Sequence, residues 1–327
     1  MEKVPPKQYT PKQYIVCYLD FLGTREKLLS NMDYHCSEVT PEQQMNIDHF
    51  SELISNSLKI LDYAQDLFAN PSYELIEKFC PGSVQKSLTE NDKKEVLRRV
   101  QKVKYSIQSF SDSLLIYIPY DNSNNFEYMD SFYFLFSLYS TLHLSMIDQG
   151  ILFRGALTIG TAWEIRSNYL FGPAVHEAYL LESTVAKHPR IVLSQSLIQL
   201  IEKMKQDARN NKQVIDESFL STAIMSDYDG VSVLNYLSVR NFDLLRNLMD
   251  VKDFIDKIVK SFDSIKKNYI SYSAHKKNVS IEKFSHEAEH ARRYYAILLF
   301  FKRNEKPINN YLISIGEKPV CFDFDLP

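Results

Sequence analysis

Two aspartates stand beside apolar runs, at positions where a buried strand would meet a turn. Asp20 follows the run 14–19, and Asp112 precedes the run 113–118. A carboxylate there is costly to bury unless a cation or a full set of hydrogen bonds satisfies it. Because carboxylate oxygens are ligands for hard divalent ions, the pair predicts a metal site. The alternative is that both acids only satisfy nearby turn amides.

The residues after Asp20 favour a phosphate ligand. Phe-Leu-Gly at 21–23 leads into a helical pattern that begins at Thr24. Backbone amides at the start of a helix bind phosphate oxygens, and a neighbouring acid can hold a magnesium ion that bridges them. With a second acid, one ion lowers the pKa of an attacking hydroxyl and the other stabilises the leaving phosphate. This chemistry is nucleotidyl transfer or cyclisation.

Alternating strand and helix patterns surround these residues and predict an α+β fold, a mixed sheet with helices packed on it. Strands are predicted at 14–19, 103–107, 113–118, 151–160, 190–194, 219–225, 231–237 and 320–324. Helices are predicted at 43–68, 126–150, 174–186, 196–209 and over most of 241–313, and a turn at 163–169. We divide the chain into a tail (1–13), a catalytic domain (14–239) with an insertion (70–102), and a helical C-terminal module (240–327).

The composition narrows the class of partner. Across 327 residues, 38 basic and 41 acidic side chains give a net charge of −3 without a basic block, which argues against nucleic acid. The four cysteines lack metal-ligand spacing, as expected for a protein of the reducing cytoplasm. The segment 1–14 is too polar for a signal peptide, and the apolar stretch 128–144 contains Asp130 and His143. We therefore expect a buried helix there and no membrane span.

Four motifs in order resemble the class III nucleotidyl cyclases, most closely the bacterial pyrimidine cyclases of Pycsar anti-phage defence. YLDFLG at 18–23 resembles their first metal strand, and SFSDS at 109–113 is similar to the hairpin with the second metal aspartate. RGALTIG at 154–160 resembles the strand that follows. GPAVHEAYLLE at 172–182, then PRI at 189–191, resembles the next helix and strand. The resemblance covers roughly residues 14 to 237.

This resemblance implies a class III cyclase-like mixed or antiparallel sheet flanked by helices, to which the helical pattern of 241–313 adds a C-terminal helical module. It implies a homodimer whose active sites lie between the protomers, with two Mg²⁺ or Mn²⁺ ions per site. The expected reaction converts UTP to 3′,5′-cyclic UMP and pyrophosphate, with CTP as the next substrate. The product would act as a second messenger on a separate effector during phage infection.

The resemblance also assigns roles to residues. The metal ligands would be Asp20, Asp112 and the carbonyl of Phe21. The groups at the substrate would be Phe21, the amides of Leu22 and Gly23, Ser111 and His176. The resemblance does not assign the catalytic cation; we expect Arg154 in that role and Arg190 at the substrate.

One feature departs from the purine cyclases of this class, which carry an Asn and, four residues later, an Arg on the helix. Here these positions hold His176 and Leu180. Catalysis then needs another cation, and the candidates are Arg154, Arg166 and Arg190. Arg154 has the alternative of pairing with a structural carboxylate such as Glu182, and His176 of being a polar residue on a helix flank. The departure fits either a pyrimidine cyclase or an inactive cyclase-homology domain that binds a nucleotide or a partner.

A rival motif lies in the C-terminal module. His286, Glu287 and His290 match H-E-x-x-H, in which two histidines one helical turn apart bind zinc and the glutamate acts as a base. Glu289 places a charge inside the motif, and no third ligand pattern follows. A solvated helix face explains these residues more simply, so a zinc hydrolase is the remote alternative.

Overall fold

The computed structural model describes residues 9–22, 105–110, 113–121, 152–166, 169–210, 222–238, 251–274 and 281–323, and separate positions within 40–62, 89–98 and 132–146. Gly23, Ser111 and Asp112 lie outside the described residues. So does most of the predicted insertion, 70–102.

Eight strands form one sheet in the described part of the chain. They are β1 (Lys12–Leu22), β2 (Ser106–Phe110), β3 (Ser113–Tyr120), β4 (Leu152–Arg166), β5 (Tyr169–Phe171), β6 (Ile191–Leu193), β7 (Ile224–Ser226) and β8 (Ser232–Leu234). The order is β2-β3-β1-β4-β6-β8-β7, and β5 pairs with β4 outside this path. β4 and β6 are parallel, whereas the other described pairs are antiparallel. The predicted mixed sheet with helices is confirmed at this level.

The first four strands follow a split β-α-β pattern. β1 lies between β3 and β4 and is antiparallel to both, while β2 and β3 form a hairpin. Described positions between β1 and β2, and between β3 and β4, are helical. This is the connectivity in which two crossovers each skip one strand, so that the first strand of the chain becomes central.

Four helices with defined bounds complete the described fold: α1 (Pro173–Thr184), α2 (Gln195–Asn210), α3 (Val251–Ala274) and α4 (Ile281–Ser314). β1 alternates in the direction of its side chains, as a strand must. Tyr14 and Val16 join the core under α1, and Ile15 and Cys17 join the larger core on the opposite face. The sheet is therefore covered on both faces.

The C-terminal helices share a hydrophobic core with the sheet. Ile297 and Phe301 of α4 belong to the same buried cluster as Val192 of β6 and Val233 of β8. The helix prediction for 241–313 is confirmed where the chain is described. The predicted strand 320–324 is wrong for residues 320–323, because this segment bonds to helix side chains. The amide of Val320, for example, donates to Asn309 at 2.7 Å.

Several predicted boundaries need correction. The strand predicted at 103–107 continues to Phe110, residues 222 and 223 of the strand predicted at 219–225 are helical, and the strand predicted at 231–237 ends at Leu234. Two further strands are longer than predicted because pairing continues on the neighbouring strand. β1 does not end before Asp20 but runs to Leu22, which pairs with Leu152. The predicted turn 163–169 belongs largely to strands, since β4 continues to Arg166 and pairs there with β5.

A stack of aromatic rings connects the sheet to α4. His143, from the helical positions between β3 and β4, has its ring centroid 4.3 Å from that of Phe153 and 4.0 Å from that of Tyr236. Tyr236 in turn stacks on Phe300 of α4 at 4.5 Å. His143 is completely buried, and neither ring nitrogen has a hydrogen-bond partner among the described residues. Burial lowers the pKa of His143 to about 3.

We predict that His143 makes the fold sensitive to acid. Its pKa is lowered in the folded state from about 6.5 in the unfolded chain, so the unfolded state binds the proton first and stability falls as the pH drops below about 6.5. His143→Phe keeps an aromatic ring but cannot titrate. Between pH 7 and pH 5 the wild type should lose about 2 kcal/mol more unfolding free energy than the variant. Urea unfolding at several pH values measures this difference, and parallel profiles would contradict it.

Candidate active site

Asp20 lies in a row of four side chains that crosses the sheet. It pairs with Arg154 of β4 on one side and with Ser113 of β3 on the other, and Ser113 pairs with Phe110 of β2. Directly opposed residues of antiparallel strands project from the same face, so these four share one face of the sheet. The central member is a carboxylate with a cation on one side and a hydroxyl on the other.

Two polar side chains contact the Asp20 carboxylate, and a third contacts one of these two. Arg154 Nη2 lies 3.5 Å from Asp20 Oδ2, and Ser113 Oγ donates to Asp20 Oδ1 at 3.1 Å. The Nε of Arg154 forms a second ion pair with Glu182 of α1. The side chains of Asp20 and Arg154 are 22% and 24% exposed, but that of Glu182 only 3%. The predicted alternative of an Arg154–Glu182 pair is confirmed, and Asp20 belongs to the same cluster.

Small residues bring α1 close enough for Glu182 to reach the sheet. Ala174, Ala178 and Glu182 are four residues apart, and all three are buried on one side of the helix. A side chain at Gly160 would begin 3.2 Å from the Cβ of Ala174, so the strand and helix are nearly in contact there.

Glycine is also required where α1 begins and where β4 passes β1. Gly172 has φ +138°, and a Cβ there would lie 2.7 Å from the Trp163 ring. Pro173 follows at the first helical position, where a missing N–H costs nothing. A Cβ at Gly155 would lie 2.6 Å from the backbone oxygen of Tyr18. The glycine beside Arg154 thus permits the close strand contact that sets Arg154 against Asp20.

Tyr18 of β1 lies beside this cluster, and its phenol is affected mainly by burial. Burial, and then the charges of Asp20, Glu182 and Tyr179, raise the pKa of Tyr18, although a hydrogen bond with Ser113 opposes them. Tyr18 also meets Tyr179 of α1 edge to face, with ring centroids 5.8 Å apart. The oxygen donors of this cluster, two carboxylates and the hydroxyl of Ser113, are of the chemical kind that hard divalent ions such as Mg²⁺ or Mn²⁺ take as ligands.

Phe21 and Leu22 lie inside β1 rather than in the predicted loop. They pair with Phe153 and Leu152, and the Phe21 ring packs on Phe153, on the opposite face from Asp20. The expected arrangement of phosphate-binding amides at a helix start is therefore corrected for Leu22, whose backbone is part of a strand. The other half of that loop, Gly23, lies outside the described residues, as do Ser111 and Asp112.

The remaining candidate residues on α1 and β4 lie in different places. His176 is exposed on α1, within its first turns. Arg166 lies at the far end of β4, where its guanidinium stacks 3.9 Å from the centre of the Tyr169 ring. Of the three candidate cations, Arg154 is the one that contacts Asp20.

Arg190 belongs to a different ion-pair network at the β7–β8 turn. Its side chain is 5% exposed and lies 2.6 Å from Asp227 and 2.7 Å from Asp229. It also donates to the carbonyl of Val185 at 2.8 Å. Hydrogen bonds from Arg190 lower the pKa of Asp229. Asp227 and Asp229 lie between the predicted strands 219–225 and 231–237, but they are 37 and 39 residues from Arg190, so no local sequence signal identifies them as its partners.

Two other groups of residues have side chains of the kinds that bind metals, and both involve the C-terminal module. His286, Glu287 and His290 belong to α4, but their side chains lie outside the described residues. Glu305, Cys321 and Asp323 have ligand atoms within 4.8 Å of one another. The amine of Lys302 already pairs with both carboxylates there, at 2.9 and 2.8 Å, so the acids have a cation from the chain itself.

Comparison with family models and with curated protein sequences gives no match. In the part of the chain that the structure describes, no helix has the length and apolar character needed to cross a membrane.

We predict that Arg190 is a structural cation. Arg190→Met would leave Asp227 and Asp229 without their buried partner and should lower the unfolding free energy by about 3 kcal/mol. Glu202→Ala, which breaks an exposed pair with Lys205, is the control and should cost about 0.5 kcal/mol or less. Chemical denaturation compares the two. Wild-type stability with loss of nucleotide binding in Arg190→Met would instead indicate a substrate ligand.

Proposed function

We propose that the protein is a nucleotidyl cyclase that converts UTP to 3′,5′-cyclic UMP and pyrophosphate, with CTP as the next candidate substrate. The observation that supports it best is the position of Asp20. This acid lies on the central strand β1, opposite Ser113, and Ser113 directly follows Asp112 in the sequence. One predicted metal ligand thus pairs with the residue that follows the other in the sequence.

The surrounding fold supports the same proposal. A mixed sheet flanked by helices is what the resemblance to class III cyclases implies, and the hairpin of β2 and β3 beside β1 has the expected order. In the proposed site Asp20, Asp112 and the carbonyl of Phe21 hold two Mg²⁺ or Mn²⁺ ions. Bound there, the ions supply the acidity that activates a hydroxyl and neutralise charge on the phosphates.

In the proposed reaction the 3′-oxygen of the nucleotide bonds to its own α-phosphorus. The bond from that phosphorus to the bridging oxygen of the β-phosphate breaks, pyrophosphate leaves, and the hydroxyl proton passes to solvent. Arg154 is the cation that the described structure offers close to Asp20. Arg190 is left out of the proposed site, because its side chain is buried and is already paired with Asp227 and Asp229. Gly23, Ser111 and His176 keep their proposed contacts with the substrate.

The first test is chemical. We expect the purified protein with Mn²⁺ to produce one cyclic monophosphate, cyclic UMP, when each of the four ribonucleoside triphosphates is supplied separately and the products are analysed by mass spectrometry. Asp20→Asn and Asp112→Asn should abolish the product without unfolding the protein, because each replaces a carboxylate ligand with a neutral amide of the same size. Asp263→Asn, at an exposed position of α3, is the matched control and should keep full activity. Full activity in Asp20→Asn would refute the assignment.

We further propose that a second copy covers the exposed apolar side chains near this face. Tyr179 and Leu180 of α1 are 49% and 43% exposed, and Phe171 of β5 is 48% exposed. The resemblance places the partner's nucleotide against this helix. Single apolar side chains on a surface are ordinary, but several on adjacent elements favour an interface.

Leu180→Glu should therefore weaken the homodimer, since it introduces a charge into the proposed contact. Ile313→Glu, at a 61% exposed position of α4, is the control and should leave the dimer intact. Light scattering coupled to size-exclusion chromatography gives both masses. A dimer that survives Leu180→Glu would place the interface elsewhere.

A second candidate function has its own support. Asp20 is already paired with a cation of the chain, and exposed His176 and Leu180 replace the Asn and Arg of the purine cyclases. These features suit an inactive cyclase-homology domain that binds a nucleotide or a partner. Nucleotide binding without release of pyrophosphate under any metal would favour it.

If the protein is instead an active cyclase, the cyclic nucleotide would act on a separate effector in anti-phage defence.

A further inference from the structure

Asp20, Arg154 and Glu182 form a charged cluster in which one cation is shared by two unequal carboxylates. Arg154 uses different nitrogens of its planar guanidinium for the two, Nε towards Glu182 and Nη2 towards Asp20. A guanidinium suits this arrangement because its donors point in fixed, diverging directions. The shared cation leaves the cluster with a single net negative charge.

The two ion pairs differ in how easily they can separate. The Glu182 carboxylate is 3% exposed and would be left charged and buried if Arg154 withdrew, which is strongly unfavourable. The Asp20 carboxylate is 22% exposed, lies farther from the guanidinium at 3.5 Å, and also accepts a hydrogen bond from Ser113. Water can solvate Asp20 when the contact opens. The contact between Arg154 and Asp20 is therefore the one that can be exchanged.

We propose that Arg154 is the resident counter-ion of Asp20, fixed in place by Glu182, and that Asp20 accepts a divalent ion only in exchange for it. This inference rests on the proposed function, because it takes Asp20 to be a metal ligand. Glu182 acts as a positioning residue, since it retains the arginine beside the site after the exchange. The apparent affinity of Asp20 for the metal is therefore lower than its intrinsic affinity, because the contact with Arg154 must open first.

The test measures Mn²⁺ binding to the full chain without nucleotide, from the electron paramagnetic resonance signal of free Mn²⁺. The double variant Arg154→Met with Glu182→Gln removes the competing cation and its buried partner together. It keeps the net charge of the cluster and leaves no unpaired buried charge, so it should fold. Loss of an ion pair of this exposure changes an equilibrium constant by about fivefold. Asp20-dependent Mn²⁺ binding should therefore be roughly fivefold tighter in the double variant than in the wild type.

Two controls are needed to attribute a change in Mn²⁺ affinity to the Asp20 site. Asp20→Asn, in the wild type and in the double variant, identifies the Mn²⁺ bound at Asp20. Glu202→Gln with Lys205→Met removes an ion pair of α2 that is 2.7 Å long, and should leave Mn²⁺ affinity unchanged.

The outcomes separate this inference from the function on which it rests. Tighter Asp20-dependent binding in the double variant supports the exchange. Equal or weaker binding, with wild-type binding that still depends on Asp20, overturns the exchange and leaves the metal site standing. If Mn²⁺ binding is independent of Asp20 in both proteins, the exchange and the proposed cyclase are overturned together.

Discussion

The central constraint on this fold is the pairing of β1 on both of its edges. β3 pairs with it over residues 13–20, and β4 over residues 12–22. Because side chains alternate along a strand, a shift of one residue on either side would exchange the two faces. The correct register buries Ile15 and Cys17 in one core and Val16 in the other. The same register fixes Asp20 between Arg154 and Ser113.

The polar cluster at Asp20 is a consequence of apolar packing around it. Glycine at 155 and 160 lets β4 approach both β1 and α1, and the alanines of α1 bring the helix onto the sheet. Glu182 is the next residue along that helix face, so close packing also buries its carboxylate. Burial of an acid is tolerated because Arg154 reaches it from the sheet. The chemistry of the site and the stability of the fold thus share the same ion pairs.

The strand and helix patterns were sufficient to predict the order of the main elements, because each depends on local periodicity. The hairpin around 108–112, the helix of 174–186 and the C-terminal helices all follow from it where the chain is described. The ends of the strands were harder to predict from the sequence. β1 runs past Asp20, and β4 past Gly160, because pairing with neighbouring strands stabilises an extended conformation that the local sequence does not require. The segment 320–323 failed as a strand because Asn309 and Glu305 of α4 satisfy its amides.

The sequence by itself determined which residue types were available: two acids beside apolar runs, an arginine before a glycine, and an acid on a predicted helix. Local composition and spacing carry that information. Tertiary structure alone decided that Arg154 lies between Asp20 and Glu182, whereas Arg190 lies with Asp227 and Asp229. Before folding, each arginine had several acids within reach of a flexible chain. Strand register and helix docking select among them, and both are set by contacts between residues far apart in sequence.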